Sequence, residues 1–99
     1  MSAKLQRQQV AEALQGLANW TLQGDQIERA LFFEDFVDAM VFINKVAEIA
    51  EEEGHHPEIR VVYNRVNLAL TTHDAGGLTL KDFQVARRIE SLLEPEASM

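Results

Sequence analysis

All three histidines of this chain, His55, His56 and His73, fall within nineteen residues. Histidine can both give and take a proton near neutral pH. The first two sit in Gly54-His55-His56-Pro57 and the third ends Thr71-Thr72-His73. Between them the sequence reads as one β-hairpin. A hairpin brings its ends together, so this spacing predicts one site shared by three imidazoles. Such a site suits acid–base chemistry on a small molecule.

A register follows if Asn64-Arg65 are the central turn residues. Tyr63 then faces Val66, Pro57 faces Thr72 and His56 faces His73. Directly opposed residues have Cβ atoms about 4.5–5.5 Å apart. Alternation sends Val66, Leu68 and Leu70 toward helices and puts Asn67, Ala69, Thr71 and His73 on the other face or edge. Pro57 stiffens the chain after His56. Gly54 stands where a left-handed helix cap is expected, so the histidine pair lies just past a helix's negative pole. That pole favours an imidazolium, and Glu51 or Glu53 would add to the effect.

Other readings of the same residues stay open. Adjacent histidines in a helix-to-strand connection can be plain surface residues. Three histidines can also bind zinc. Neighbours in extended chain point in different directions, however, so His55 and His56 converge poorly on one ion, and no metal is expected. Thr79-Leu80-Lys81-Asp82 reads as a capping box, with Thr79 as N-cap and Asp82 in place of the usual Glu. Asp82 is therefore read as a cap in preference to a catalytic group. Trp20 and Tyr63 are read as core or half-buried aromatics.

These residues need a scaffold, and periodicity supplies one. Residues 2–17 carry apolar side chains at helical spacing. Residues 20–23 and 27–33 read as strands around a Gly24-Asp25 turn. Residues 34–53 form the strongest helix, opened by acidic Glu34 and Asp35. Residues 59–63 and 66–72 make the second hairpin. Residues 79–93 form the last helix, followed by Pro95. The order is αββαββα in one domain over residues 1–99. Phe36, Met40, Ile43, Ala47 and Ala50 make one stripe of the central helix; Phe42, Val46 and Ile49 make another. The second stripe packs either on the chain's own helices or on a second subunit.

Composition narrows the function classes. The chain has 99 residues and no cysteine, which excludes disulfides and thiolate metal sites. Its formal charge of −7 argues against nucleic acid, whose phosphates are bound by Lys and Arg. The first residues run into a helical pattern without an apolar signal core, and no apolar stretch is long enough to span a bilayer. A soluble cytoplasmic protein without a membrane partner is expected.

Six segments together resemble the pterin-4a-carbinolamine dehydratases, also described as dimerisation cofactors of a homeodomain transcription factor. They are Trp20, Phe33-x-x-Phe36, Gly54-His55-His56-Pro57-Glu58, Tyr63-Asn64-x-Val66, Leu70-x-Thr72-His73 and Gly77-Leu78-Thr79-x-x-Asp82. The resemblance runs from about Leu17 to Glu90. It implies an α+β fold, a four-stranded antiparallel sheet with three helices packed on one face. It also implies a homodimer or a homotetramer, the tetramer made by helix packing between subunits.

The implied reaction is loss of water from 4a-hydroxytetrahydropterin to give quinonoid dihydropterin. This step recycles the pterin cofactor of aromatic amino acid hydroxylases and needs no metal or organic cofactor. By matching position, His55 and His73 are the acid–base histidines and His56 the one tied mainly to substrate. Gly54, Thr71 and Thr72 match residues lining the pterin pocket. Pro57 and Asp82, within the matching segments, complete the expected substrate-binding set. Ile59 departs from the pattern, because several members carry Trp there. A second function class is a non-catalytic module that promotes dimerisation or assembly of a partner protein. Retention of all three histidines favours the enzyme.

Overall fold

The computed structural model describes residues 3–94, so Ser2 and Pro95 lie outside the described residues. Elements run in the order α1 (Arg7–Leu14), β1 (Thr21–Gln23), β2 (Gln26–Phe32), α2 (Phe36–Glu53), β3 (Glu58–Val62), β4 (Arg65–Leu70) and α3 (Leu80–Leu93). A single 3₁₀ turn, His73–Ala75, precedes α3. The four strands form one antiparallel sheet in the order β1-β2-β4-β3. No helix among the described residues is long and apolar enough to cross a membrane.

The strand pattern explains which face is covered. Ile27 pairs with Leu70 and Leu31 with Val66, so these side chains and Leu68 share one face. All five are buried with Val10 of α1, the buried face of α2, and Phe83, Val85, Ala86 and Ile89 of α3. The three helices therefore pack on one side of the sheet, and the apolar parity of β4 is as the sequence predicts.

Three local expectations are corrected. The first helix starts at Arg7 because the preceding chain is drawn elsewhere: Leu5 N–H donates to Leu78 C=O at 2.8 Å. The central helix starts at Phe36. Asp35 is its N-cap, accepting Asp38 N–H at 2.8 Å, and is not part of the first turn. The second hairpin turns at Tyr63-Asn64, not Asn64-Arg65, because Val62 pairs with Arg65. Tyr63 takes the left-handed conformation, φ 53°, and stands 63% exposed instead of entering the core. A bulky residue rarely sits there, which is why the sequence points to the wrong turn. Asn64 holds the tip in place: its Nδ2–H donates to Phe33 C=O at 2.9 Å, and Phe33 N–H donates to Asn64 C=O at 2.8 Å.

The Phe42, Val46 and Ile49 stripe belongs to the subunit's own core, with Phe42 only 6% exposed. The Phe42 ring lies 5.1 Å from that of Phe33. Burial of such side chains is worth about 1.5–3 kcal/mol each, so the intramolecular core claims them. The large apolar residues that α2 leaves outside are Phe36, Val37 and Val41, and Ala47 of the first stripe is exposed as well.

Candidate active site

Gly54 decides where the histidines go. It ends α2 with φ 64° and ψ 30°, a conformation that costs any residue with a Cβ. The reversal places His55 N–H on Ala50 C=O at 3.1 Å and turns the His55 ring toward α3. Pro57 is buried directly before β3.

His55 Nε2 lies 2.5 Å from Asp82 Oδ1. The His55 side chain is 13% exposed and that of Asp82 is fully buried. Asp82 is the capping residue its spacing predicts: Oδ2 accepts Thr79 N–H at 2.9 Å. The same Oδ2 accepts the Thr72 hydroxyl at 2.8 Å. One carboxylate thus ties the start of α3, the end of β4 and the histidine after α2. The cap read from the spacing is present, and its carboxylate is also the partner of His55, a contact the capping-box spacing does not reveal.

The other two histidines lie differently. His56 Nε2 is 2.6 Å from Glu51 Oε2, in an exposed pair. Glu53 is engaged elsewhere: Arg88 reaches Glu52 and Glu53 at 2.5 and 2.9 Å. Those two hydrogen bonds, Glu52 first, raise the Arg88 guanidinium above its ordinary value. His73 starts the 3₁₀ turn and is exposed. It does not face His56 across the hairpin, because β4 ends at Leu70 and the observed pairing is two residues out from the expected one.

His73 lines a cavity of about 290 Å³ with Gln23, Asp25, Gln26, Thr71, Gly76 and Gly77. Thr71 closes one side by donating its hydroxyl to Asp25 C=O at 2.6 Å. Neither His55 nor His56 lines that cavity. Larger hollows of about 580 and 590 Å³, against the N-terminal segment and on the open sheet face, contain no histidine. The link between His55 and His73 runs through Thr72, which precedes His73 in the chain and contacts Asp82. Among the described residues no group of three His, Cys, Asp or Glu side chains is arranged to hold a metal ion. What the arrangement offers chemically is an imidazole oriented by a buried carboxylate, the relation of a proton-transfer group to its orienting partner.

The same frame recurs in known proteins. The family profile described as pterin 4 alpha carbinolamine dehydratase matches residues 3–92. The chain belongs to the pterin-4-alpha-carbinolamine dehydratase family. A curated relative from Acidobacterium capsulatum, provisionally named for that activity, is 57% identical over 92% of this chain and 99% of its own. One from Thermomicrobium roseum, named in the same provisional way, is 48% identical over 91% and 97%.

Among solved structures, a Brucella melitensis protein described as a transcriptional coactivator/pterin dehydratase superposes with a TM-score of 0.87 at 35% identity. That match covers 92% of this chain and 99% of the other. A pterin dehydratase-like protein identified as a RuBisCO assembly factor in the alpha-carboxysome gives 0.64 at 25% identity, covering 75% and 88%. The family likeness read from the histidine, threonine and aspartate segments is borne out, as is the α+β architecture it implied.

Proposed function

We propose that this member of the pterin dehydratase family dehydrates 4a-hydroxytetrahydropterin to quinonoid dihydropterin, recycling the pterin of aromatic amino acid hydroxylases. The observation that carries the reading is the His55 imidazole held on the buried Asp82 carboxylate. In the reaction the C4a–O bond breaks, the hydroxyl leaves as water with a proton from a general acid, and a base takes the N5 proton. His55 and His73 serve as that acid–base pair, and His56 contributes to substrate binding. The Gly54 backbone, Pro57, Thr71, Thr72 and Asp82 complete the site, all within one domain over residues 1–99.

The test is a dehydration assay on 4a-hydroxytetrahydrobiopterin generated in situ. Acceleration above the uncatalysed rate is expected, and is lost in a folded His55→Ala, His73→Ala double variant. No acceleration by the wild-type protein overturns the reading.

A second reading has its own support. The neighbour identified as a RuBisCO assembly factor has the same frame. This chain leaves Phe32, Phe36, Val37, Val41, Val62 and Tyr63 exposed. An assembly module would use such residues and would not need the histidines. Within the dehydratase reading, the α2 residues of that group serve self-association of the subunit into a homo-oligomer.

A further inference from the structure

Thr79 enters the sequence argument only as a helix cap. In the fold it is fully buried, and its hydroxyl has a second contact. Donor direction can be worked out along the cluster. Thr72 gives its one hydroxyl proton to Asp82 Oδ2 at 2.8 Å. The 2.9 Å contact between the two threonine hydroxyls must then be donated by Thr79. Thr79 Oγ1 itself accepts Lys81 N–H at 3.3 Å. Oδ2 also accepts Thr79 N–H, so only Oδ1 remains for His55 Nε2.

A carboxylate only accepts, and an imidazole is ordinarily the stronger base of the two. The proton between Asp82 and His55 therefore belongs to Nε2. In the neutral ring Nδ1 then carries none. Among the described residues Nδ1 has no hydrogen-bond partner, yet none of their buried side-chain nitrogens or oxygens lacks one. Nδ1 must reach the surface.

We propose that Thr79 and Thr72 are positioning residues whose hydroxyl chain fixes Asp82 and holds neutral His55 as its Nε2–H tautomer, leaving Nδ1 to exchange protons with substrate. The inference rests on the dehydratase reading for its catalytic part alone. When Nδ1 takes a proton, the imidazolium stays on Asp82, and when it gives one the ring returns to the same tautomer. The wrong tautomer presents the surface with an N–H where a base is needed.

The experiment is long-range ¹H–¹⁵N spectroscopy of labelled protein at a pH where His55 is neutral, with steady-state kinetics beside it. Wild type, Thr79→Ser and Thr72→Ser should show one Nε2–H tautomer. Thr72→Val and Thr79→Val should both show a mixture with KM little changed; kcat falls about tenfold for Thr72→Val, which loses a hydrogen bond to the charged Asp82, and roughly threefold for Thr79→Val, which loses the hydroxyl pair alone. Asp82→Asn should shift the ring toward the Nδ1–H form, since the amide can donate to Nε2. A purely structural role would lower stability without moving the tautomer. Wild-type His55 protonated on Nδ1 overturns the inference, as do folded valine variants with the wild-type tautomer. If Thr79→Val does not fold, the half-buried Thr72→Val decides in the same way. The spectra are read without substrate, so the expected tautomer in an inactive protein sinks the functional reading and leaves the positioning intact.

Discussion

At the scale of the residue, the three histidines have three different environments, and substitutions should separate them. His55→Ala and His73→Ala should each lower kcat within the roughly 10²–10⁴-fold range of general acid–base groups, toward its low end where the other histidine substitutes. His56→Ala, which removes an exposed partner of Glu51, should mainly raise KM. Steady-state kinetics with circular dichroism on the three variants checks this, and wild-type constants in all three would mark the histidines as bystanders. Asp82→Ala should behave otherwise. It leaves Thr79 N–H and the Thr72 hydroxyl without their acceptor, costing roughly 2–4 kcal/mol, measurable by urea denaturation. The candidate site residues could be singled out in the sequence; the contacts among them could not. His55 and Asp82 are 27 positions apart, and only the packing of α3 beside the end of α2 brings them together.

Among the elements, the hinge between α2 and β3 is the most sensitive. Gly54→Ala should destabilise by about 1–2 kcal/mol, the cost of left-handed backbone for a residue with a Cβ. There is space around a Cβ at this position, so the effect is backbone strain without a clash. Thermal denaturation measures it, and an unchanged Tm would show that the cap tolerates a side chain. Tyr63→Gly tests the opposite case: relief of the strained turn should offset the added chain entropy, leaving stability equal or higher. Element order followed from periodicity because the apolar spacing of α2, β4 and α3 is strong. Register did not, because it turned on one aromatic residue adopting a conformation that its type disfavours. The N-terminal helix was overdrawn for a related reason: Leu5 is bonded to Leu78, a partner 73 residues away that no local pattern reveals.

For the molecule as a whole, the wide apolar arc of α2 divides between core and surface, and of the two partners open to the Phe42, Val46 and Ile49 stripe the chain's own core is the one found. Phe42 meets Phe33, and Val46 and Ile49 are buried beside it. The surplus is Phe36, Val37 and Val41. Val41→Glu should therefore weaken self-association while leaving the fold intact, whereas Phe42→Glu should unfold the subunit. Light scattering distinguishes the two from a variant that changes nothing. Each subunit carries a formal charge of −7, so association should tighten as salt screens the repulsion between copies. A monomer at every ionic strength would remove self-association from the account.

Trp20 is the chain's only tryptophan and Tyr63 its only tyrosine. The indole is buried on the seam between sheet and α3, its N–H given to Glu90 Oε1 at 2.8 Å. The same oxygen accepts Arg29 Nε–H at 2.6 Å. The phenol is exposed at the tip of the second hairpin. The protein therefore carries two intrinsic optical probes in unlike places. Tryptophan emission reports whether α3 sits on the sheet, and should move to longer wavelength when that seam opens. If its transition in urea coincides with the loss of helical ellipticity, the seam and the helices come apart in one cooperative step.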